Sequence, residues 1–159
     1  MTIAEVIARP MIGAMFVYGG LDAARHPQSK APAAHGVTDA LAEATGLSTT
    51  QLVRLNGLIQ VGAGVAIATG VVPRPAAALL GLSLIPTTLA GHRFWECDDR
   101  SERADQTFHF LKNVGILGGL LFAATSTGGR PSVPWRVNRA VRHAASEVGE
   151  RVGTLAHTG

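Results

Sequence analysis

Side chains able to hold a small molecule or handle a proton enter the apolar parts of this sequence at only a few places. Asn56 and Gln60 stand four residues apart, which puts them on one helical face. His109, Lys112 and Asn113 recur at i, i+3 and i+4 and share another. His92, Trp95 and Glu96 follow directly on an apolar run, and Tyr18 and Asp22 close the first one. Imidazole, phenol and amide groups can hydrogen-bond a carbonyl or hydroxyl, and Lys112 can pair with a carboxylate. His92, Glu96 and His109 are reasonable metal ligands by type. Their spacing matches no ligand motif, so no metal site is assigned. Cys97 is the only cysteine, which excludes an intramolecular disulfide and a CxxC redox pair. Its acidic neighbours Glu96 and Asp98 argue against a reactive thiol. The sequence contains no Ser-His-Asp arrangement, phosphate loop or dinucleotide fingerprint.

Those residues must be positioned by four apolar stretches, at about 6–24, 49–70, 75–92 and 106–125. Each has the ~20 residues a helix needs to cross the hydrocarbon core. Charged residues make up only 16% of the chain, and eight of them crowd into residues 93–105. This uneven distribution fits spans and polar loops better than a uniformly wetted globule, where roughly a quarter of residues are charged. The fold class is therefore an all-α membrane protein, a four-transmembrane-helix bundle over residues 1–127. Residues 128–159 form a basic tail. In it Val137, Val141, Ala144, Val148 and Val152 share one face and the arginines take the others. With Trp135 at its start, this predicts an amphipathic helix on the membrane surface.

Local signals mark the ends. Ser48 and Gln51 form a capping box at the start of the second span. Gly70 stops that span, Val71 to Arg74 make a tight hairpin, and Pro75 sits in the first turn of the third. Pro86 lies inside the third span and predicts a kink. The long first loop, Arg25 to Ser48, is expected to hold one short helix near Thr38 to Ala44. Gly57, Gly62 and Gly64, and Gly115, Gly118 and Gly119, read as seams where helices approach closely, and a homo-oligomer is compatible with such faces.

Both termini lie on one side of an even number of spans. Basic residues divide seven against seven between the sides, but four arginines of the tail follow closely on the last span. That places the termini in the cytoplasm. The twelve arginines and two lysines form no run interleaved with aromatics, so nucleic acid is not a partner; the lipid bilayer is. Counting alternate directions along the chain, Asn56, Gln60, His92, Trp95, Glu96, His109, Lys112, Asn113 and Tyr18 all arrive in the same, loop-side half of the membrane. They define a polar pocket or a set of interhelical bonds. Lys112 lies about two turns inside its span and is expected to turn inward and pair with Glu96 or Asp22.

Taken together, these segments resemble the DoxX family of four-helix membrane proteins. The resemblance is carried by Ala8-Arg9-Pro10-Met11-Ile12-Gly13-Ala14-Met15-Phe16, by Pro86-Thr87-Thr88-Leu89-Ala90-Gly91-His92-Arg93-Phe94-Trp95-Glu96, and by His109-Phe110-Leu111-Lys112-Asn113. Gly129-Arg130-Pro131-Ser132 and Trp135-Arg136 look like the tail of an actinobacterial branch. The resemblance implies a small inner-membrane subunit tied to redox chemistry, with quinone as the acceptor in the member that names the family. Many relatives place a carboxylate in the second span where this chain has Gln60, which counts against a proton-carrying role there. Three functions follow as expectations. The first is a non-catalytic anchor or accessory subunit of a membrane oxidoreductase, respiratory or oxidative-stress complex. The second is a subunit that binds a quinone or small amphiphile on the non-cytoplasmic side. The third is a small transporter or lipid-handling protein.

Overall fold

The structure, a computed structural model, describes residues 3–126 and, separately, Arg142. Contacts divide the chain into Met1–Thr125 and Ser126–Gly159. The expected surface helix of the tail lies outside the described residues. The first unit consists of α1 (Ile3–Arg25), α2 (Pro27–Thr45), α3 (Thr49–Thr69), α4 (Pro73–Gly91), a short 3-10 turn (Phe94–Glu96) and α5 (Arg100–Thr125). Among the described residues there is no strand. Helices α1, α3 and α5 are long and apolar enough to cross a membrane. Helix α4 opens on Pro73, Arg74 and Pro75 and is not among them.

The local signals explain the ends. The Ser48 hydroxyl accepts from the Gln51 backbone N–H, while the Gln51 side chain accepts from the Ser48 backbone, so the capping box is complete. Gly70 adopts φ 73°, a left-handed conformation, and its N–H closes on Ala66 and Ile67. Gly46 ends α2 in the same way, at φ 71°. Asp99 caps α5 by accepting the N–H of Glu102. Two expectations change. The hairpin between α3 and α4 is shorter, because Pro73 rather than Pro75 takes the first helical position. The first loop is not a loop with one short helix; α2 fills 19 residues of it. Pro27 starts that helix at a position where no N–H is needed. Its buried side, Pro27, Ala31 and Ala34, is too small to give a strong apolar signal.

Helix α1 packs on α3, α3 on α4, and α4 on α5; α1 and α5 share no comparable contact. The core runs through this series as Phe16, Ala63, Ile67, Ala77, Leu80, Leu84 and Leu120. Helix α2 contacts both α3 and α4. Its middle meets Thr49, at the start of α3, and Arg93, just past the end of α4. It therefore crosses the loop-side end of the helices.

The glycine seams are only partly those expected. An added Cβ on Gly57 would lie 2.7 Å from the Gly20 carbonyl oxygen, and one on Gly13 would lie 2.5 Å from that of Gly64. Gly13 and Gly20 of α1 thus face Gly64 and Gly57 of α3, seven residues apart on each helix. Gly62, Gly115, Gly118 and Gly119 have open space where a side chain would go and form no seam among the described residues.

Candidate functional site

Helix α4 carries Thr87 and Thr88 directly after Pro86, and these two hydroxyls organise the polar residues of the neighbouring helices. Pro86 removes the donor that would reach the Leu82 carbonyl, yet α4 continues through it. The Thr87 hydroxyl donates to the Ser83 carbonyl and the Thr88 hydroxyl to that of Leu84. The two side chains stand about 100° apart on the helix and so address different neighbours. Thr87 accepts from Asn56 Nδ2 at 3.0 Å and from Gln60 Nε2 at 3.2 Å, both on α3. Thr88 accepts from Asn113 Nδ2 of α5 at 3.1 Å, a buried bond. The Ser83 hydroxyl, one turn deeper, is buried without a partner among the described residues.

A second group forms at the loop-side rim. The imidazoles of His92 and His109 stack with centroids 5.1 Å apart and planes 20° from parallel. His92 Nδ1 is 2.9 Å from Gln106 Oε1. Arg93 ties three segments together: it donates to the Ala33 carbonyl of α2, to the Leu89 carbonyl of α4, and to Glu96 in the 3-10 turn. Trp95, Phe94 and Phe110 make edge-to-face contacts beside it. An open cleft of about 570 Å³ lies between α2, the end of α4 and the start of α5. Arg93, Glu96, Asp98, Asp99, Glu102 and Gln106 supply its polar lining. Cys97 also lines it; burial, then the Glu102 carboxylate, pushes its thiol above the ordinary range. A thiol so placed is a poor nucleophile at neutral pH. Among the described residues, no three His, Cys, Asp or Glu side chains are grouped to hold a metal ion.

The expected site residues are thus separated into three places. Gln60 and Asn113 are buried in the helix seams, with Asn56 half-buried at the edge of one. His92, Trp95, Glu96 and His109 are at the rim. Tyr18 and Lys112 join neither. Tyr18 is 81% exposed on the outer side of α1. Lys112 is exposed, although Asn113 beside it is buried. The expected pairing of Lys112 with Glu96 or Asp22 is not formed, because both acids have nearer partners. Glu96 meets Arg93 at 3.3 Å, and Asp22 holds Lys30 at 2.6 Å and His26 at 3.2 Å. Thr87, Thr88, Gln106 and the reach of Arg93 were not singled out in the sequence. The available signal was the Thr-Thr pair after an intrahelical proline, which offers one acceptor to each flanking helix.

A chain with three membrane-length helices and amide-to-hydroxyl bonds between helices is an integral membrane protein. It belongs to the DoxX family, whose profile matches residues 4–93. That match takes in α1 to α4 and ends at Arg93, ahead of the His109 to Asn113 segment. No curated protein and no solved structure matches the chain.

Proposed function

We propose that this DoxX protein is a four-span inner-membrane subunit that anchors or assists an oxidoreductase complex without catalysing a reaction. In this reading α4 crosses the membrane as a fourth span behind α3 and α5, with both termini in the cytoplasm. The observation that carries it is the use made of the polar side chains in the membrane half. Asn56, Gln60 and Asn113 are engaged by Thr87 and Thr88, as interhelical bonds rather than as the lining of a cavity. The accessible polar groups lie instead on the loop-side rim, where a partner outside the membrane can reach them. Arg93 and the acidic residues around the cleft are the docking groups of this reading. The test is co-purification of the full chain from native membranes in mild detergent, with and without Arg93→Ala. A redox subunit retained by the parent and lost from the variant supports the reading. A chain that purifies alone under both conditions overturns it.

A second reading rests on the stacked His92 and His109. The His109 ring is exposed, and no hydrogen bond to its nitrogens is formed among the described residues. With Phe108 edge-on to the His109 ring, these imidazoles fit the carbonyl and ring of a quinone by chemistry. A quinone there would supply two-electron acceptor chemistry; the chain's own residues would only bind and orient it. Quinone-dependent quenching of Trp95 fluorescence that is lost in His109→Leu distinguishes this reading from simple anchoring.

A further inference from the structure

Helices α1 and α5 are the two edges of the helix series: α1 packs chiefly on α3, and α5 on α4. The buried side of α5 carries Gln106, Phe110, Asn113, Leu117, Leu120 and Ala124, at alternating spacings of four and three. A second stripe with the same spacing, Phe108, Lys112, Gly115, Gly119 and Phe122, is exposed throughout. Helix α1 has the counterpart. Met11, Met15, Tyr18, Asp22 and Arg25 follow the same four-three alternation and are all exposed. Spacing of this kind keeps one seam facing a partner helix along its length.

The two stripes also agree in depth, through contacts that do not involve either stripe. Gly20 lies against Gly57, Asn56 and Gln60 bond Thr87, and Asn113 bonds Thr88. Residues 20–21 of α1 and 113 of α5 are therefore level. The helices run in opposite directions, so Asp22 falls opposite Lys112. Tyr18 and Met15 then face Gly115 and Gly119, whose missing side chains leave open space. Met11 reaches Phe122, and Arg25 reaches Phe108. Large residues meet small ones, a thioether and a guanidinium meet aromatic rings, and the acid meets the base.

We propose that the α1 edge of one copy docks on the α5 edge of a second copy, with Asp22 and Lys112 as the ion pair at its loop-side end. Lys112 has no partner among the described residues, and an ammonium at that depth is costly unless it is paired or reaches water. Asp22 already holds Lys30 and His26, but its carboxylate is half exposed and has lone pairs for a third donor. Two copies related by a two-fold axis along the membrane normal form the contact twice and leave no edge open. This arrangement is independent of which partner the loop-side rim recruits.

The test uses the full chain in native membranes, in a Cys97→Ser background. Two differently tagged forms, Tyr18→Cys and Gly115→Cys, are co-expressed and treated with a short bifunctional thiol reagent. A dimer-mass band carrying both tags is expected, and none when Gly62→Cys replaces Gly115→Cys. Gly119→Phe fills space that is open within the chain, so it should leave the melting temperature unchanged and abolish the band. Lys112→Glu should also reduce it, by opposing Asp22. Absence of the mixed band, or its persistence with Gly119→Phe, overturns the proposal. So does a Tyr18→Cys, Gly115→Cys chain that cross-links at monomer mass, since α1 and α5 would then meet within one chain.

Discussion

The α1–α3 and α4–α5 pairs are both antiparallel helix contacts, yet opposite means hold them together. Between α1 and α3 the backbones themselves touch. A Cβ on Gly20 would lie 2.6 Å from the Gly57 carbonyl oxygen, and one on Gly64 would lie 3.0 Å from that of Gly13. Between α4 and α5 there is room for side chains. A Cβ on Gly81 would meet the end of Leu117 at 3.3 Å and the Leu120 Cβ at 3.9 Å, both side chains, and the contact is fixed by the Asn113–Thr88 bond and by Leu84 and Leu120. In lipid, apolar burial does not favour one helix neighbour over acyl chains. Close dispersion contact and satisfied polar groups remain, and this chain uses one at each pair. The first kind of seam is intolerant of added atoms. The second is intolerant of a lost partner.

The sharpest way to break the α1–α3 contact is Gly20→Leu. It forces two backbones apart and should cost about 3 kcal/mol or more, since overpacking a close contact costs 1–3 and sometimes more. Gly62→Leu adds the same atoms on α3 where the space is open and should stay within about 0.5 kcal/mol of the parent. Thermal melts in one detergent compare the two. Equal losses would show that helix propensity, not the seam, sets the effect.

On the other side of the comparison, Thr88→Val leaves the buried Asn113 amide without its acceptor. A loss of about 1–2 kcal/mol is expected. A double-mutant cycle with Asn113→Leu should return a coupling of about 0.6–1.7 kcal/mol, the range for such bonds in membranes. Additive losses would mean that the two side chains do not stabilise each other. Gln60→Leu should cost less than Thr88→Val, because Asn56 still donates to Thr87. Chemical denaturation in mixed micelles resolves that order.

The smallest expected effect concerns Cys97 at the rim. Its raised pKa means less thiolate at neutral pH than an ordinary thiol has. Alkylation by iodoacetamide should be slower than that of a free thiol at pH 7 and should rise with pH beyond the point where the free thiol levels off. Substituting Glu102 by Gln removes one of the carboxylates that raise the pKa and should shift that rise to lower pH. A profile identical to that of a free thiol would mean that the rim leaves Cys97 fully solvated.

Much of the fold is legible in the sequence where the governing physics is local. The capping box at Ser48, the stop at Gly70 and the membrane-length runs of α1, α3 and α5 are all readable there. Helix α2 is not, because Pro27, Pro32 and Gly36 disguise it and its buried face is made of Ala and Pro. The gathering of polar groups near one end of the helices follows from their alternating direction, which places 56, 60, 109 and 113 near the same end. That count cannot say how each group is used.

Sequence alone therefore determined that the long apolar segments are helical, where most of them stop, and that their polar side chains gather near one end. Hydropathy, capping chemistry and residue spacing act within a few residues along the chain. Only the tertiary structure decided that Asn113 turns inward while Lys112, the residue before it, turns out. It likewise decided that Gly57 and Gly64 form a seam within the chain while Gly115 and Gly119 face open space among the described residues. Neighbouring residues on a helix point about 100° apart. Which of those directions meets another helix depends on the rotation of each helix about its own axis, and that is fixed by contacts from elsewhere in the chain. Glu96 illustrates the same limit at the rim: Arg93, three residues away and held by the Ala33 carbonyl of α2, claims it before any charge on α5 can.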